Sequence, residues 1–550
     1  MSTYNKNMYL NGNSIQADIL LNWHFLVHFL FFSKMEVDDT PVIGIDLGTT
    51  YCSVGIFKNK SIDIINDHNG SHSVPSYVTF TNDEIIAGQT AKDQAVFYPK
   101  SAVYDSKRML GLKFDDPVIQ NDMKLWPFKV IRGPDNSPMV QVSFKGKEET
   151  YSPVDISSYL LKHMKNIASK YLSTNVTNVV ITVPAYFDFK QIEATKKAGQ
   201  KAGLNVLRII SEPTAAAIAY GHQEKYDDQK IILVFDFGGG TLDVSILSVL
   251  KDDFEVLANQ GDMHLGGQDI DNILLKHFAE RFKAKHHIDI FNEPRVVLNL
   301  KEYCEKAKIT LSKAKRYNLF CPSLINGIDY SDILTDAEFN ELNHDLFKKI
   351  KKPINAALTE AGIDKSKVDY VIMVGGSSRI PAVVDKIKKM FGAEKVCKNI
   401  DPEEAVVRGA AIVAANLSKH DDDDEYPIII YRPIVSHSLG VENESKYMDI
   451  IIKKGTKVPT PLCSPHFYTT QNENQGYVKI KIFMGEDELT ANNKFLGFLE
   501  LHNIKKNKEK PKIKVTFSVD IDGILQVKAE DITAGVSNLV RLEVSKQLGI

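Results

Sequence analysis

The sequence has few cysteines, and their spacing indicates neither a disulfide framework nor a zinc site. There are five, an odd number, and no two form a CxxC pair: Cys52, Cys304, Cys321, Cys397 and Cys463. Disulfide-stapled folds and structural zinc sites need evenly paired or closely spaced cysteines. We therefore predict reduced, buried thiols and a cytoplasmic location.

The chain also lacks an excess of charge of either sign. Its 67 Lys and Arg residues nearly balance 70 Asp and Glu residues, which leaves a net charge of −3. That balance argues against a dedicated nucleic-acid-binding protein. Hydrophobic residues make up 43% and charged residues 25%, which excludes a mostly disordered or collagen-like chain. At roughly 150 residues per domain, we expect three to four folding units.

A long membrane-spanning run is missing as well. The apolar stretch at residues 19–32 is too short for an ordinary transmembrane helix. Only Lys6 precedes it and no small-residue cleavage site follows, unlike a secretory signal. Three interpretations stay open: an extension upstream of a true start at Met35, which we favour, a signal or anchor, or a docked helix. We expect residues 1–40 to lie outside the fold and predict no membrane partner.

From residue 41 onward, short β-branched runs closed by glycine turns alternate with helical stretches, which predicts an α/β architecture. One pattern, a strand followed by a glycine-rich loop, occurs three times, with predicted strands at 42–46, 231–236 and 371–374. This pattern stops near residue 418, where an acidic run at 421–425 predicts a solvated linker.

Beyond the linker, apolar and polar residues alternate with a period of two, and Asp522-Gly523 predicts a hairpin turn. We therefore predict an α/β domain at 41–418, a linker at 419–434 and an all-β domain at 435–550.

The three glycine loops carry the clearest chemical signal. Glycine lets backbone amides approach phosphate oxygens, and the neighbouring Ser and Thr hydroxyls add donors, so several such loops can enclose a polyphosphate. No GxxxxGK[ST] motif and no GxGxxG after a strand occurs, which argues against P-loop and dinucleotide-binding folds. Asp46 and Asp236 each end a strand before a glycine loop, where carboxylates can hold hydrated magnesium.

Five long motifs, in one order, carry a resemblance to a known family. They are GIDLGTTYC from Gly44, VPAYF from Val183, EPTAAAIAYG from Glu212, FDFGGGTLDVSIL from Phe235 and VGGSSRIP from Val374. They resemble the heat shock protein 70 family of molecular chaperones, and the resemblance runs from residue 41 to about residue 544. It implies an α/β actin-like ATPase domain, with two lobes of duplicated ribonuclease-H-like fold, followed by an all-β sandwich that binds peptides.

The resemblance also implies roles for individual residues. The catalytic groups around magnesium, the attacking water and the γ-phosphate are Asp46, Lys107, Glu212, Asp236, Thr241 and Asp243, of which Asp46 and Asp236 hold Mg²⁺ through water. The residues that bind ATP or ADP are Gly48, Thr49, Thr50, Tyr51, Gly238, Gly239, Gly240, Glu305, Lys308, Ser312, Gly375, Gly376, Ser377 and Arg379. The peptide groove contains Val441, Tyr468, Val478 and Ile480. Phosphoryl transfer needs mainly positioning and electrostatic stabilisation, so these residues predict magnesium-dependent ATP hydrolysis.

Several positions depart from the family pattern. Ile309 replaces an arginine that stacks on the base, which predicts lowered nucleotide affinity. Ile192 stands where an arginine relays the nucleotide state, and Ser211 where asparagine is usual. The linker sequence PIIIYRP at 427–433 replaces the family's closing aspartate with Tyr, Arg and Pro. We therefore predict weakened coupling between the domains.

The peptide-binding part departs too. Glu444 and Gln471 stand at the arch over the groove, where the family has apolar or small residues. The sequence stops before the family's helical lid, which predicts faster escape of bound peptide.

Together these features predict an ATP-dependent chaperone that engages unfolded polypeptides in protein folding and the stress response. J-domain co-chaperones and nucleotide-exchange factors are implied as partners by the resemblance. The alternative is a non-catalytic scaffold similar to ribosome-associated family members, which tend to have eroded phosphate loops, whereas the loops at 48–50 and 238–241 are intact here. A sugar-kinase-like phosphotransferase is disfavoured by the C-terminal β domain.

Overall fold

The structure is a computed structural model that describes residues 40–397, 399–418, 427–460, 466–470, 475–504, 511–533 and 536–541. The apolar stretch at 19–32, the acidic run at 421–425, Cys463 and Gln471 lie outside the described residues. In the part of the chain described, no helix is both long and apolar enough to cross a membrane.

The strands and helices of the described residues are numbered in chain order. The strands are β1 (Val42–Leu47), β2 (Tyr51–Lys58), β3 (Ser61–Ile64), β4 (Val74–Pro75), β5 (Val78–Phe80), β6 (Ile85–Ala87), β7 (Ala102–Val103), β8 (Lys129–Arg132), β9 (Pro138–Phe144), β10 (Lys147–Tyr151), β11 (Asn178–Val183), β12 (Asn205–Ser211), β13 (Lys230–Phe237), β14 (Leu242–Leu250), β15 (Asp253–Asp262), β16 (Arg316–Ile325), β17 (Ile328–Thr335), β18 (Tyr370–Val374), β19 (Ile430–Arg432), β20 (Leu439–Glu442), β21 (Met448–Ile452), β22 (His466–Thr469), β23 (Tyr477–Met484), β24 (Lys494–His502), β25 (Lys512–Val519), β26 (Leu525–Asp531) and β27 (Val536–Arg541). The α-helices are α1 (Gln89–Gln94), α2 (Ser106–Met109), α3 (Pro117–Asp122), α4 (Pro153–Leu172), α5 (Phe189–Lys201), α6 (Glu212–Glu224), α7 (Gly267–His286), α8 (Pro294–Leu311), α9 (Asp336–Leu342), α10 (His344–Lys349), α11 (Lys351–Ala361), α12 (Pro381–Phe391) and α13 (Ala405–Ser418).

Two mixed sheets with the same hydrogen-bonding pattern dominate the α/β part. In the first, the order is β12-β11-β1-β2-β3, with β4 beside β2, and in the second it is β18-β13-β14-β15-β19. β1 runs parallel to β11 and antiparallel to β2, just as β13 runs parallel to β18 and antiparallel to β14. Each sheet therefore places a glycine loop between its central antiparallel pair, at the same end of the pattern.

The three strands predicted to end in glycine loops are confirmed as β1, β13 and β18. Their β-branched and aromatic side chains are buried almost throughout, because each strand is packed on both faces. Each sheet supports its own large apolar cluster, and the chain therefore builds two separate cores in this part. Helices α6 and α13 pack closely: a Cβ on Gly409 would lie 1.7 Å from the Ala215 carbonyl oxygen.

Side-chain caps fix the start of the helices that border the two sheets. Asp188 and Gln191 form a capping box at the start of α5, since each side chain accepts a hydrogen bond from the other's backbone amide. Ser211 caps α6 by accepting from the Thr214 amide. The serine that replaces the family's usual asparagine therefore still serves as a helix N-cap.

The C-terminal part contains two four-stranded antiparallel sheets, β21-β20-β23-β24 and β22-β25-β26-β27, which share one apolar cluster. The alternating apolar residues of β25 point into that cluster. The predicted hairpin is confirmed, because Gly523, at φ +82°, lies in the turn that joins β25 to β26. The period-two pattern therefore identified these strands correctly.

Part of the segment predicted as a linker is a strand. Residues Ile430–Arg432 form β19, which adds to the free edge of β15 in parallel. Its backbone is anchored by the Ile430 amide, which donates to the Asp252 carbonyl oxygen at 2.9 Å. Strand β19 therefore extends the second sheet and leads directly into the C-terminal sheets.

The cysteines described carry free thiols. Cys52, Cys304 and Cys321 are buried and Cys397 is half-buried, as expected from their spacing in the sequence.

Candidate functional site

The three glycine loops, at residues 48–50, 238–241 and 375–378, meet at the carboxyl ends of β1, β13 and β18. A Cβ on Gly239 would lie 2.2 Å from Thr50 Oγ1, and one on Gly240 would lie 2.5 Å from Thr49 Oγ1. A Cβ on Gly375 would lie 2.5 Å from the Phe237 carbonyl oxygen. Glycine is required at these positions because the loop backbones lie directly against the threonine side chains of the first loop and the backbone at the end of β13.

Four carboxylates and one lysine gather behind these loops. Asp46, the next-to-last residue of β1, accepts a hydrogen bond from Thr182 Oγ1 at 2.9 Å. Asp236 and Asp243 lie opposite each other in the β13–β14 register. Lys107, only 6% exposed, donates to Glu212 Oε1 at 2.5 Å and to the Leu47 carbonyl oxygen at 2.6 Å.

The negative charge of this cluster exceeds its positive charge, and the pKa values respond. Burial, followed by the charge of Glu212, raises the pKa of Asp46 to about 7 and that of Asp243 to about 7. Burial and the neighbouring carboxylates raise the pKa of Asp236 well above its ordinary value. Burial alone would lower the pKa of Lys107, but Glu212 and Asp46 raise it above the ordinary value. The cluster is therefore a site that additional positive charge would stabilise.

Among the residues that the structure describes, no group of three or more His, Cys, Asp or Glu side chains is arranged to hold a metal ion.

A second group of polar residues lies on α8 and on the loops beside it. Glu305 accepts from Tyr51 Oη at 2.8 Å and, on its other oxygen, from Lys92 Nζ at 2.8 Å. Lys308 donates to Asp271 Oδ2 at 2.7 Å and to the Gly267 carbonyl oxygen at 3.2 Å. The structure thus brings Glu305 and Lys308 to the edge of the glycine loops.

The remaining residues predicted for nucleotide binding lie around this group. Ser312 Oγ donates to the Lys308 carbonyl oxygen at 3.0 Å, and Ser377 Oγ donates to the Gly238 carbonyl oxygen at 2.8 Å. Arg379 is exposed and pairs with Asp401. Ile309, the departure from the family's arginine, is 51% exposed.

The residues predicted for a peptide groove lie in different surroundings. Val441 is 1% exposed within the shared cluster of the C-terminal sheets. Tyr468, Val478 and Ile480 are partly exposed and pack on the edge of that cluster. Their role in peptide binding stays a prediction.

Three residues of the site were missed by the sequence analysis: Lys92, Arg108 and Thr182. Lys92 stands 213 positions from its partner Glu305, and nothing in the sequence around it marks that contact. Arg108 follows Lys107 directly and, at 6% exposure, is as deeply buried. Adjacent lysine and arginine residues are common on protein surfaces, so the sequence carries no local signal that identifies Arg108.

Comparison with known proteins gives a consistent result. A model of the Hsp70 protein family matches residues 42–549. The heat shock 70 kDa protein of Neurospora crassa is 43% identical over 504 residues, which cover 91% of this chain and 77% of that protein. Heat shock cognate 70 kDa protein 3 of Dictyostelium discoideum is 44% identical over 495 residues, covering 89% and 78% of the two chains. Heat shock 70 kDa protein 2 of Paracoccidioides lutzii is 44% identical over 501 residues, covering 91% and 76%.

Proposed function

This chain belongs to the heat shock protein 70 family, and from that premise we propose which of its residues carry out the family's chemistry. The resemblance inferred from the five motifs is confirmed. The protein is an ATP-dependent chaperone and an ATPase, which binds ATP and ADP and acts on unfolded polypeptides in protein folding. The scaffold and phosphotransferase alternatives are not favoured by the names of its relatives.

We assign hydrolysis to the cluster around Lys107. The observation that supports this is the excess of carboxylates over cations beside three touching glycine loops. Mg²⁺ favours oxygen ligands and keeps several of its waters, so Asp46 and Asp236 would hold it through water. When bound there, the ion would neutralise the carboxylates and the phosphates and polarise the phosphoryl oxygen atoms.

The chain's own groups have distinct roles in this assignment. Lys107, fixed by Glu212 and by the Leu47 carbonyl oxygen, presents its ammonium to the γ-phosphate and the attacking water. Thr241 and Asp243, at the start of the strand opposite Asp236, complete the polar wall around that water. Because these groups are already bonded in place, little reorganisation accompanies phosphoryl transfer.

We assign nucleotide binding to the loops and to α8. The amides of residues 48–51, 239 and 240 face phosphate oxygens, and Glu305, Lys308, Ser312, Gly376, Ser377 and Arg379 surround the adenosine. The Gly238 and Gly375 amides donate within the protein, to the carbonyl oxygens of Thr241 and Pro402, and so shape the loops. The ion pair between Lys92 and Glu305 joins α1, which packs on the sheet β6-β5-β7, to α8, which packs on β16. A nucleotide bound between them would be enclosed from both sides.

We also propose the domain architecture that is typical of the family. We propose that residues 41–418 form two actin-like lobes of duplicated ribonuclease-H-like fold, and that residues 435–550 form a peptide-binding sandwich after the linker at 419–434. The matching strand patterns of the two central sheets support the duplication. We further propose a cytoplasmic location, J-domain co-chaperones and nucleotide-exchange factors as partners.

Steady-state ATP hydrolysis, measured with magnesium, tests the catalytic assignment. We expect Asp236→Ala to lower kcat by at least about 100-fold, because removal of one preorganised group at a developing charge has effects of that size. Asp345→Ala, at a carboxylate with 91% of its side chain exposed, is the matched control and should keep wild-type activity. A wild-type protein that does not hydrolyse ATP, or an Asp236→Ala variant as active as wild type, would contradict the assignment.

The same assay with an added extended apolar peptide tests the predicted weakening of interdomain coupling. Because Ile192 cannot make the charged contacts of the family's arginine, we expect little stimulation by peptide. Stimulation of several-fold would refute this part of the proposal and leave the catalytic assignment untouched.

A further inference from the structure

The peptide planes of the second glycine loop, at residues 238–241, are held from one side by hydrogen bonds. The Gly238 carbonyl oxygen accepts from the Gly267 amide at 3.0 Å and from Ser377 Oγ at 2.8 Å. The Gly239 carbonyl oxygen accepts from the Gln268 amide at 2.8 Å. The Gly240 carbonyl oxygen accepts from Arg108 Nη2 at 3.1 Å.

These contacts determine where the loop's amides point. In a trans peptide the carbonyl and the following N–H point in opposite directions, and these peptides are trans. With the carbonyls of residues 238–240 held towards α7 and α2, the N–H groups of residues 239–241 point to the other side. Successive N–H groups that point one way form a concavity that binds anions.

Among these donors, the Arg108 side chain is the one group that comes from a residue before β13 in the chain. It lies on α2 next to Lys107, and it is bound to Asp269 by two contacts, Nη2 to Oδ2 at 2.7 Å and Nη1 to Oδ1 at 3.2 Å. Asp269 in turn caps α7 by accepting from the Gly266 amide at 2.8 Å. The guanidinium therefore joins the start of α7 to the Gly240 peptide.

Two adjacent residues of α2 thus bind opposite sides of the site. Lys107 binds the Leu47 carbonyl oxygen at the end of β1 and Glu212 at the start of α6. Arg108 binds the loop that follows β13. The short helix α2 sets the distance between the lysine and the second glycine loop.

We propose that Arg108 is a positioning residue for phosphate binding: it holds the Gly240 carbonyl so that the Thr241 amide faces the nucleotide's phosphates at a fixed distance from Lys107. This inference rests on the proposed function, because it assumes that the loop binds phosphate. Arginine suits the task since its planar fork donates to Asp269 and to Gly240 together, which a lysine ammonium cannot do with the same geometry.

The test compares ADP with adenosine, which has no phosphate. Binding of each to the full chain is measured by calorimetry for wild type, Arg108→Lys and Arg108→Gln, with Arg316→Gln as the control at an exposed arginine. We expect both Arg108 variants to bind ADP at least about tenfold more weakly and adenosine within about twofold of wild type. Arg108→Lys keeps the buried positive charge beside Asp269 and Asp122 and guards against loss of folding in Arg108→Gln.

Four outcomes of these binding measurements decide between the explanations. Selective loss of ADP affinity, together with a lower kcat for ATP hydrolysis, supports the positioning role. ADP affinity within about twofold of wild type in both variants overturns it. Equal loss of ADP and adenosine affinity in Arg108→Lys also overturns it, since that result describes a general structural role. Failure of the wild-type chain to bind ADP would instead contradict the proposed function.

Discussion

The proposed nucleotide site and the junction between α5 and the C-terminal sheets both bury polar groups, but the surroundings of those groups differ. At the site, four carboxylates surround Lys107 and the glycine loops lie too close together to admit a Cβ. At the junction, Phe189 of α5 is 6% exposed and belongs to the apolar cluster of the C-terminal sheets. Charge therefore dominates the first region, whereas apolar burial lies at the centre of the second.

One face of α5 forms the apolar side of the junction. Phe189, Ile192 and Lys196 follow the i, i+3, i+7 spacing of a single helix face. A Cβ on Gly523 would lie 3.1 Å from Ile192 Cδ1, and Lys196 Nζ pairs with Asp522 at 2.7 Å. The isoleucine at the position of the family's arginine thus packs against the β25–β26 turn.

The linker strand contributes its own unusual residues. Tyr431 Oη accepts from Arg208 Nη1 at 2.7 Å, and Arg432 Nη2 pairs with Asp253 Oδ2 at 2.8 Å. Arg208 also reaches Asp522, with its Nε 3.2 Å from Oδ1. The departures at Ile192, Tyr431 and Arg432 all make contacts in this structure. At the junction, apolar packing at Ile192 and ion pairs at Asp522 and Arg432 therefore contribute side by side.

The largest expected effect comes from comparing two lysine-to-alanine substitutions, one in each region. Lys107→Ala removes the cation that we assign to the γ-phosphate and leaves Glu212 without its lysine partner among buried carboxylates, so kcat for ATP hydrolysis should fall at least about 100-fold. Lys196→Ala removes a partly exposed ion pair at the junction and should leave basal kcat within about twofold. Steady-state hydrolysis measures both. A comparable loss in the two variants would remove the distinction between the regions.

Much of the site could be predicted because its residues lie in long contiguous motifs. The predicted strands at 42–46, 231–236 and 371–374 agree with β1, β13 and β18 to within one residue, since an apolar β-branched run closed by glycine has few alternatives. The contact of Arg108 with Gly240 spans 132 positions and has no local signature. Phe189 also could not be assigned, because an apolar residue in the first turn of a helix is ordinarily part of its own domain's core.

A smaller effect is expected when the apolar anchor of the junction is removed. Phe189→Ser should loosen the contact between α5 and the C-terminal sheets, because loss of a buried aromatic side chain costs about 3–5 kcal/mol in a well-packed core. Hydrogen exchange of the Ile430 amide, which holds β19 to the Asp252 carbonyl oxygen, measures that loosening. Exchange should accelerate at least about tenfold.

Phe320→Ser is the matched control, since Phe320 is 55% exposed on β16, away from the junction. It should leave exchange at Ile430 as in wild type. Unchanged exchange in Phe189→Ser would mean that the ion pairs of Lys196, Arg208 and Asp522 hold the junction without the apolar anchor.

The smallest expected effect is a pH dependence of the junction through His437. Its ring lies 4.4 Å from the Tyr186 ring, between the two parts of the molecule. Burial, followed by the charge of Lys454, lowers the pKa of His437 to about 4, while Glu486 and Asp188 oppose the shift and Lys494 adds to it. His437 is therefore neutral while the two parts are in contact, which we call the closed junction.

Because the pKa of His437 is lowered in the closed junction, acid should destabilise the junction. When the junction opens, His437 returns towards its ordinary pKa of 6.5 and takes up a proton more readily than in the closed form. The stabilisation is complete above pH 6.5 and declines as the pH falls towards 4. Protection factors at the Ile430 amide, which exclude the intrinsic pH dependence of exchange, should be lower at pH 5.5 than at pH 7.5. His437→Gln should remove that difference and His502→Gln, at a histidine with 61% of its side chain exposed, should keep it. Equal protection at the two pH values in wild type would contradict this prediction. It would show that the Ile430 amide exchanges through an opening of α5 and β19 in which His437 stays buried.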